Sequence, residues 1–495
     1  VDSADISRPP SRILPHAEKP GRCTGGGLNR IVQRCRPRPV PPSGEPEHGK
    51  SPEETVPAGG DESGRRQPAS RPPKSGRRII EVAPFSVRKK RRGLLLFLPL
   101  AVALCACGSR SPVPFPSNLS AMPVLDSSHS DNPVPGGAVN PGHPDAEQIE
   151  SIASKAVADG IPGIVLLIQT PNDGTWVSAR GFADLKNKIP MRPNSLSRIG
   201  SITKMFTAVI IHQWIQEGQF ALDDPISKLL PESATRGIRN ADRATVRQLL
   251  NHTSGIANYT DYLDIGELYR SGTNEGLTPE KALDLVRGLP ADFPPGTGCH
   301  YSNTNYILLG IIAEAAAGKT LRSQFQERIF STLGLRSTYF DPDLPVQRGV
   351  ARGYADYPPG NLIDTTDFDQ ATRTADGGIV STVFDMAAFL RGLAAEKQLL
   401  SEIEYSAMLD DPKWNAGLSS FVGLGILVIT LPNKVIAYGY SGGHFGYTAE
   451  LWYVPATQTI LAYLINGSSE IGTHVQVIQE VKEQTFMLLA GGAGG

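Results

Sequence analysis

The chain has 495 residues, 40% of them hydrophobic and 20% charged, which is enough apolar material for a sizeable core and length enough for two or three domains. Its net charge of −1 conceals a divide: residues 1–92 carry 20 Lys+Arg against 10 Asp+Glu, and the remainder carries 28 against 39. Of the five cysteines only Cys299 lies beyond residue 110, which excludes an internal disulfide in the main part of the chain.

Residues 1–86 are rich in Pro, Arg, Gly and Ser and show little apolar periodicity. Such a segment cannot bury enough apolar area to offset its ordering entropy, so a disordered basic head is expected. Its charge would suit nucleic acid or anionic lipid. The composition reads instead as a solvated tail, and no nucleic-acid partner is expected. Next, Arg88-Lys89-Lys90-Arg91-Arg92 precedes an apolar run from Leu94 to Ala106. That is a secretory signal pattern, too short for a bilayer span of about 20 residues. The run ends Leu104-Cys105-Ala106-Cys107-Gly108-Ser109, which resembles a bacterial lipobox. The resemblance implies that residues 87–107 are a lipoprotein signal peptide and that Cys107 is lipidated. The product would be exported and lipid-anchored in the bacterial cell envelope, with the membrane as its partner through that anchor. Residues 1–86 then read as an over-extended reading frame. Residues 108–144, with Pro112-Val113-Pro114-Phe115-Pro116, read as a flexible tether to a folded domain at 145–495.

Within that domain, Ile149, Ile152, Ala156 and Val157 predict a helix from Ala146 to Ala158. Gly163 to Gln169 and Trp176 to Phe182 read as strands around a Pro171-Asn172-Asp173-Gly174 turn. Ile202 to Glu217 is a helical pattern apolar nearly all round, as an interior helix must be. Residues 220–375 read as mostly helical with long loops. Strands are expected at Phe421 to Thr430, Val435 to Tyr440, Tyr447 to Val454 and Gln458 to Leu464, and a closing helix from Val475 to Leu489. Strands at both chain ends with helices between them predict an α/β (α+β) fold. One antiparallel sheet would be assembled from both ends, flanked by helices, with a helical subdomain and a cleft between.

Three short motifs carry chemistry. Ser201-Ile202-Thr203-Lys204 opens the buried helix, and a spacing of three puts Lys204 on the same face as Ser201. A neutral Lys204 amine could take the Ser201 proton and make a nucleophile. Ser86-Val87-Arg88-Lys89 has the same pattern inside the charged signal region, so this motif alone discriminates little. Tyr301-Ser302-Asn303 lies on a loop after Pro294-Pro295-Gly296; a phenol can shuttle a proton, and an Asn offers donor and acceptor to a substrate amide. Tyr440-Ser441-Gly442-Gly443 ends one strand-like run, where small residues let backbone approach a ligand. An N–H from Gly443 could pair with that of Ser201 to hold an oxyanion.

In this order the three motifs resemble the class C β-lactamase, penicillin-binding protein, D-Ala-D-Ala carboxypeptidase and esterase family. Arg198-Ile199-Gly200, Leu222-Asp223-Asp224-Pro225, Thr245 to Gly255 and Gly377 to Thr382 strengthen the likeness. It implies a β-lactamase/transpeptidase-like fold and an acyl-enzyme on Ser201. Lys204 and Tyr301 would exchange protons with it, and Ser201 and Gly443 N–H groups would hold the oxyanion. Asn303, Tyr440, Ser441 and Gly442 would contact a small-molecule or peptide substrate, with no metal or cofactor. The family usually carries Lys or His where this chain has Tyr440. That cation helps to bind a substrate carboxylate, and a lost charged hydrogen bond costs roughly 1.5–3 kcal/mol. Ser441 could still donate to a carboxylate, but an ester or uncharged amide substrate gains weight over β-lactams and D-Ala peptides. Other readings remain. Gly439 to Gly443 also fits the Gly-x-Ser-x-Gly elbow of an α/β-hydrolase, but a strand follows where a helix is required. Gly318-Lys319-Thr320 reads as a helix C-cap, not a phosphate loop, and His252, His300 and His444 lack metal-ligand spacing. A non-catalytic sensor or binding module is the alternative of another class, opposed by the intact Ser201, Lys204, Tyr301 and Asn303.

Overall fold

The computed structural model describes residues 139–263, 277–340, 349–367, 374–409, 420–469 and 472–491. The head, the signal segment, Cys107 and most of the tether lie outside the described residues. The last part of the tether does not: Val139 bridges Thr175, and the Asn140 side chain donates to the Asp173 carbonyl, so residues ahead of Asp145 already contact the domain.

Helix α1 (Ala146–Ala158) buries Ile149, Ile152, Ala153, Ala156 and Val157, the stripe that its periodicity predicts. Strands β1 (Gly163–Thr170) and β2 (Gly174–Asp184) form a hairpin, followed by the short β3 (Ile189–Pro190) and β4 (Ser197–Arg198). A 3-10 turn at Gly200–Ile202 leads into α2 (Thr203–Gln216). The middle region holds short helices such as α3 (Val246–Leu250), capped reciprocally by Thr245 and Gln248, and the longer α4 (Asn303–Ala317). Gly318, in the left-handed region, ends α4, as the C-cap reading expects. That region also contains strands the helical reading does not anticipate: β5 (Tyr339–Phe340), β6 (Tyr354–Asp356) and β7 (Leu362–Asp364). Then come β8 (Ile379–Ser381), α5 (Val383–Leu390), β9 (Ser420–Val422), β10 (Leu427–Thr430), β11 (Ile436–His444), β12 (Tyr447–Val454), β13 (Thr459–Ile465) and α6 (His474–Gly491).

Eight strands form one antiparallel sheet in the order β3-β2-β1-β13-β12-β11-β10-β9. The two ends of the domain meet at its centre, where Ile164 on β1 pairs with Ile465 on β13. Both faces are covered. Val165, Leu167, Tyr440 and Leu451 pack toward α2, α4 and α5, with Phe206, Leu308 and Phe389. Ile164, Leu166, Trp452 and Tyr463 pack toward α1 and α6, with Ile149, Ile478 and Phe486. Burial on both faces explains why β1 reads as an unbroken apolar run.

Two strand expectations need correction. The run from Phe421 to Thr430 is two strands, because Gly423 to Ile426 reverses the chain between β9 and β10. The strand expected to end at Tyr440 continues to His444. The reversal comes at Phe445-Gly446, where Gly446 supplies φ 79°, and not at Gly442-Gly443.

Candidate active site

The first turn of α2 is held from two sides. Ile199 N–H donates to the Ile379 carbonyl on β8, and Ile379 N–H donates back to Thr203 Oγ1. Gly200 adopts φ 50°, and a Cβ there would overlap the Gly443 carbonyl oxygen. Only glycine lets the turn bring Ser201 this close to β11.

Lys204 is fully buried, and its Nζ has three partners. It lies 3.1 Å from Ser201 Oγ, 2.7 Å from Asn303 Oδ1 and 2.8 Å from the Asp376 carbonyl oxygen. A neutral amine has two N–H groups and one lone pair. The two carbonyl-type oxygens can only accept, so they take the N–H groups and leave the lone pair directed at Ser201. After protonation, the third N–H points back at the Ser201 oxygen. The same three partners therefore serve both states of a base. Tyr301 OH donates to Ser201 Oγ at 2.9 Å from the other side.

The YSN loop is fixed from beneath. The His252 ring packs against Tyr301 at a tilt of 37° with centroids 4.4 Å apart, and its Nδ1 accepts the Ser302 N–H at 3.2 Å. That N–H can only donate, so the ring proton sits on Nε2. Burial first, then the Lys204 and His300 charges, push the His252 pKa well below its usual value, so it stays neutral. Asn303 is oriented by Asn258, whose Oδ1 accepts its N–H at 2.9 Å, and by Thr260, whose Oγ1 accepts from Nδ2 at 3.2 Å. These contacts turn Oδ1 toward Lys204. Tyr259 OH donates to the Asp376 carboxylate at 2.9 Å, anchoring the residue whose carbonyl holds the lysine. Sequence reading missed His252, Asn258, Thr260 and Asp376 as parts of the site. The one signal was that Thr245 to Gly255 stood out as a segment, without a role for its histidine.

The third motif divides. Beyond Gly439, β11 has no partner on β10, and its free edge faces the Ser201 turn. The two-residue reversal makes His444 and Tyr447 the hydrogen-bonded pair, so Gly443 and Thr448 form a non-hydrogen-bonded one. Gly443 N–H therefore points away from β12, toward Gly200 and Ser201. A Cβ at Gly442 would overlap the Ile199 carbonyl, so this position too demands glycine.

Tyr440 and Ser441 do not stand where a substrate contact requires. Tyr440 is 2% exposed and sits in the core beneath the site; burial, then the neighbouring Tyr301 and Tyr306, raise its pKa well above 10. Ser441 projects from the opposite face of the sheet. Its Oγ donates to Glu450 Oε2 at 2.7 Å and accepts from Lys482 Nζ of α6 at 2.8 Å. The physical reason is strand alternation. Because β11 runs on through the glycines, adjacent side chains point to opposite faces. The same geometry removes the hydrolase-elbow reading of Ser441, which lies mid-strand under a helix. His444 shares a face with Gly442 but supplies no cation, because burial and then Arg198 push its pKa down to about 3.

A family model described as Beta-lactamase matches residues 149–485. The chain is 25% identical over 333 residues to penicillin-binding protein 4 of Amycolatopsis lactamdurans, covering 65% of this chain and 85% of that protein. It is 25% identical over 321 residues to the D-aminopeptidase of Brucella anthropi, covering 63% of this chain and 58%, less than two thirds, of that protein. Among solved structures, it is similar to the D-amino acid amidase from Ochrobactrum anthropi SV3. The TM-score is 0.60 and the identity 29%, covering 69% of this chain and 96% of that one.

Proposed function

The chain belongs to the beta-lactamase family of serine hydrolases, and we propose that Ser201 is its nucleophile, acting on amides or esters that carry no carboxylate for the third motif to bind. One observation carries this reading: Lys204 Nζ and Tyr301 OH converge on Ser201 Oγ at 3.1 and 2.9 Å. Lys204 takes the Ser201 proton as Oγ attacks the carbonyl carbon. The developing oxyanion accepts hydrogen bonds from the Ser201 and Gly443 N–H groups. Tyr301 protonates the departing amine or alkoxide and is reprotonated from Lys204. Water then attacks the acyl ester, gives up a proton to the same pair, and Ser201 is restored.

The substrate class follows from Tyr440. At the sequence position where the family usually has Lys or His, this chain has a phenol turned into the core, and His444 is neutral, so neither offers a cation to a carboxylate. A scissile amide with an uncharged leaving side, such as an amino-acid amide or the first bond of a peptide amide, fits this better than a β-lactam or a D-Ala-D-Ala terminus. The names of the aminopeptidase and amidase relatives point the same way. The test is twofold. A fluorophosphonate probe should label the protein and fail to label Ser201→Ala, with hydrolysis of a p-nitrophenyl ester falling by at least about 10³-fold. Labelling that survives the substitution would overturn the nucleophile. Turnover of a chromogenic cephalosporin faster than that of a D-amino acid amide and the ester would overturn the substrate class.

The same reading places the enzyme in the bacterial cell envelope, exported and anchored by a lipid on Cys107. It rests on the basic cluster Arg88 to Arg92, the apolar run after it, and the Leu104-Cys105-Ala106-Cys107 sequence. Cys107→Ala should abolish incorporation of labelled palmitate in a bacterial host, and unchanged incorporation would defeat the anchor.

A further inference from the structure

Behind β11, on the face away from Ser201, lies a charged cluster that the reaction does not use. Lys482 of α6 is 6% exposed and Glu450 of β12 is 3% exposed. Lys482 Nζ meets Glu450 Oε1 at 2.5 Å, and Glu450 Oε2 accepts from Trp452 Nε1 at 2.6 Å and from Ser441 Oγ at 2.7 Å. Lys482 also donates to Ser441 Oγ at 2.8 Å, which closes a ring of three directional contacts.

Burying an ammonium and a carboxylate is costly, and well-packed apolar side chains would hold α6 on the sheet at least as well. What the charged cluster adds is direction, and it is spent on Ser441. This residue lies where β11 most needs an anchor. Pairing with β10 stops at Gly439, and from Tyr440 onward the outer edge of the strand faces the nucleophile turn instead. The next two residues are Gly442 and Gly443, which have no side chains to fix them and the widest backbone freedom. An oxyanion donor must nonetheless sit within a few tenths of an ångström of its place.

We propose that Ser441, held by Glu450 and Lys482, is a positioning residue that sets Gly443 N–H against Ser201 from behind the sheet. The proposal rests on the reading of Ser201 as nucleophile. The cluster is a clamp and not a second nucleophile–base pair, since Glu450 neutralises Lys482 and α6 covers both.

The test uses the full chain, with ester turnover, fluorophosphonate labelling and thermal unfolding measured side by side. Ser441→Ala should lower kcat about tenfold with KM within about twofold, as expected for a slightly displaced transition-state donor. Ser441→Thr, which keeps the hydroxyl, should restore at least about half of kcat. The paired variant Lys482→Met with Glu450→Gln should lower kcat as Ser441→Ala does; if it fails to fold, the two Ser441 variants decide. A kcat unchanged in Ser441→Ala, or not rescued by Ser441→Thr, would overturn the clamp. A wild-type protein that neither turns over ester nor takes the probe would instead remove the nucleophile reading, and the clamp with it.

Discussion

Two buried lysines stand on opposite faces of the same sheet, each beside a serine, and they differ in what surrounds them. Lys204 meets Ser201, an amide oxygen and a peptide carbonyl. Lys482 meets Ser441 and a carboxylate. Carbonyl oxygens accept N–H groups whether the amine is charged or not, so the partners of Lys204 suit a base and its conjugate acid alike. Lys482 is instead tied to a carboxylate at 2.5 Å, which makes it a strut. The lesson is that a Ser–Lys contact becomes chemistry only when no acid neutralises the lysine and a substrate can reach the serine.

The largest test of that contrast is Lys204→Met. It should lower kcat/KM for the ester by about 10³-fold, the scale of a lost general base, while the fold is retained in circular dichroism. A loss under tenfold would mean that Ser201 is activated by Tyr301 alone. The mirror experiment is Lys482→Met by itself. It strands the Glu450 carboxylate in the interior and should cost about 3–5 kcal/mol in urea unfolding. A cost under about 1 kcal/mol would show that the back-face lysine is not a strut.

Smaller effects separate the front face further. His444 has a folded pKa of about 3 against an ordinary 6.5. Between those values the unfolded chain binds a proton that the folded one refuses. Its contribution to stability is therefore complete above pH 6.5 and is lost as pH falls toward 3, by about 1.4 kcal/mol per pH unit. His444→Gln should remove that share of the slope in urea titrations run across this range; an unaltered slope would contradict a buried neutral imidazole. The smallest change expected is Tyr440→Phe. Because the hydroxyl lies in the core and reaches no substrate, ester kcat/KM should move by less than about threefold. A larger loss would bring Tyr440 into the proton path through Tyr301.

The sequence by itself determined the elements whose signal is local and periodic. The stripe of α1 and the mostly apolar run of β12 are present in consecutive residues, and both elements have the bounds expected of them. The i,i+3 spacing puts Lys204 beside Ser201 once a helix is granted, and the order of the three motifs brings in Tyr301 and Asn303. Tertiary structure decided what depends on where a strand ends and what lies behind it. The expected strand stops at Tyr440, ahead of Gly442 and Gly443, because glycine usually marks a break. In the fold they are strand, pairing with Ala449 and Thr448 of β12, and a Cβ at Gly442 would overlap the Ile199 carbonyl. That single difference swings Ser441 away from the substrate, toward a lysine forty-one positions further along the chain. It also leaves Tyr440 in the core. No local pattern could have paired Ser441 with Lys482, since their meeting depends on the packing of α6 across strands that are distant in sequence.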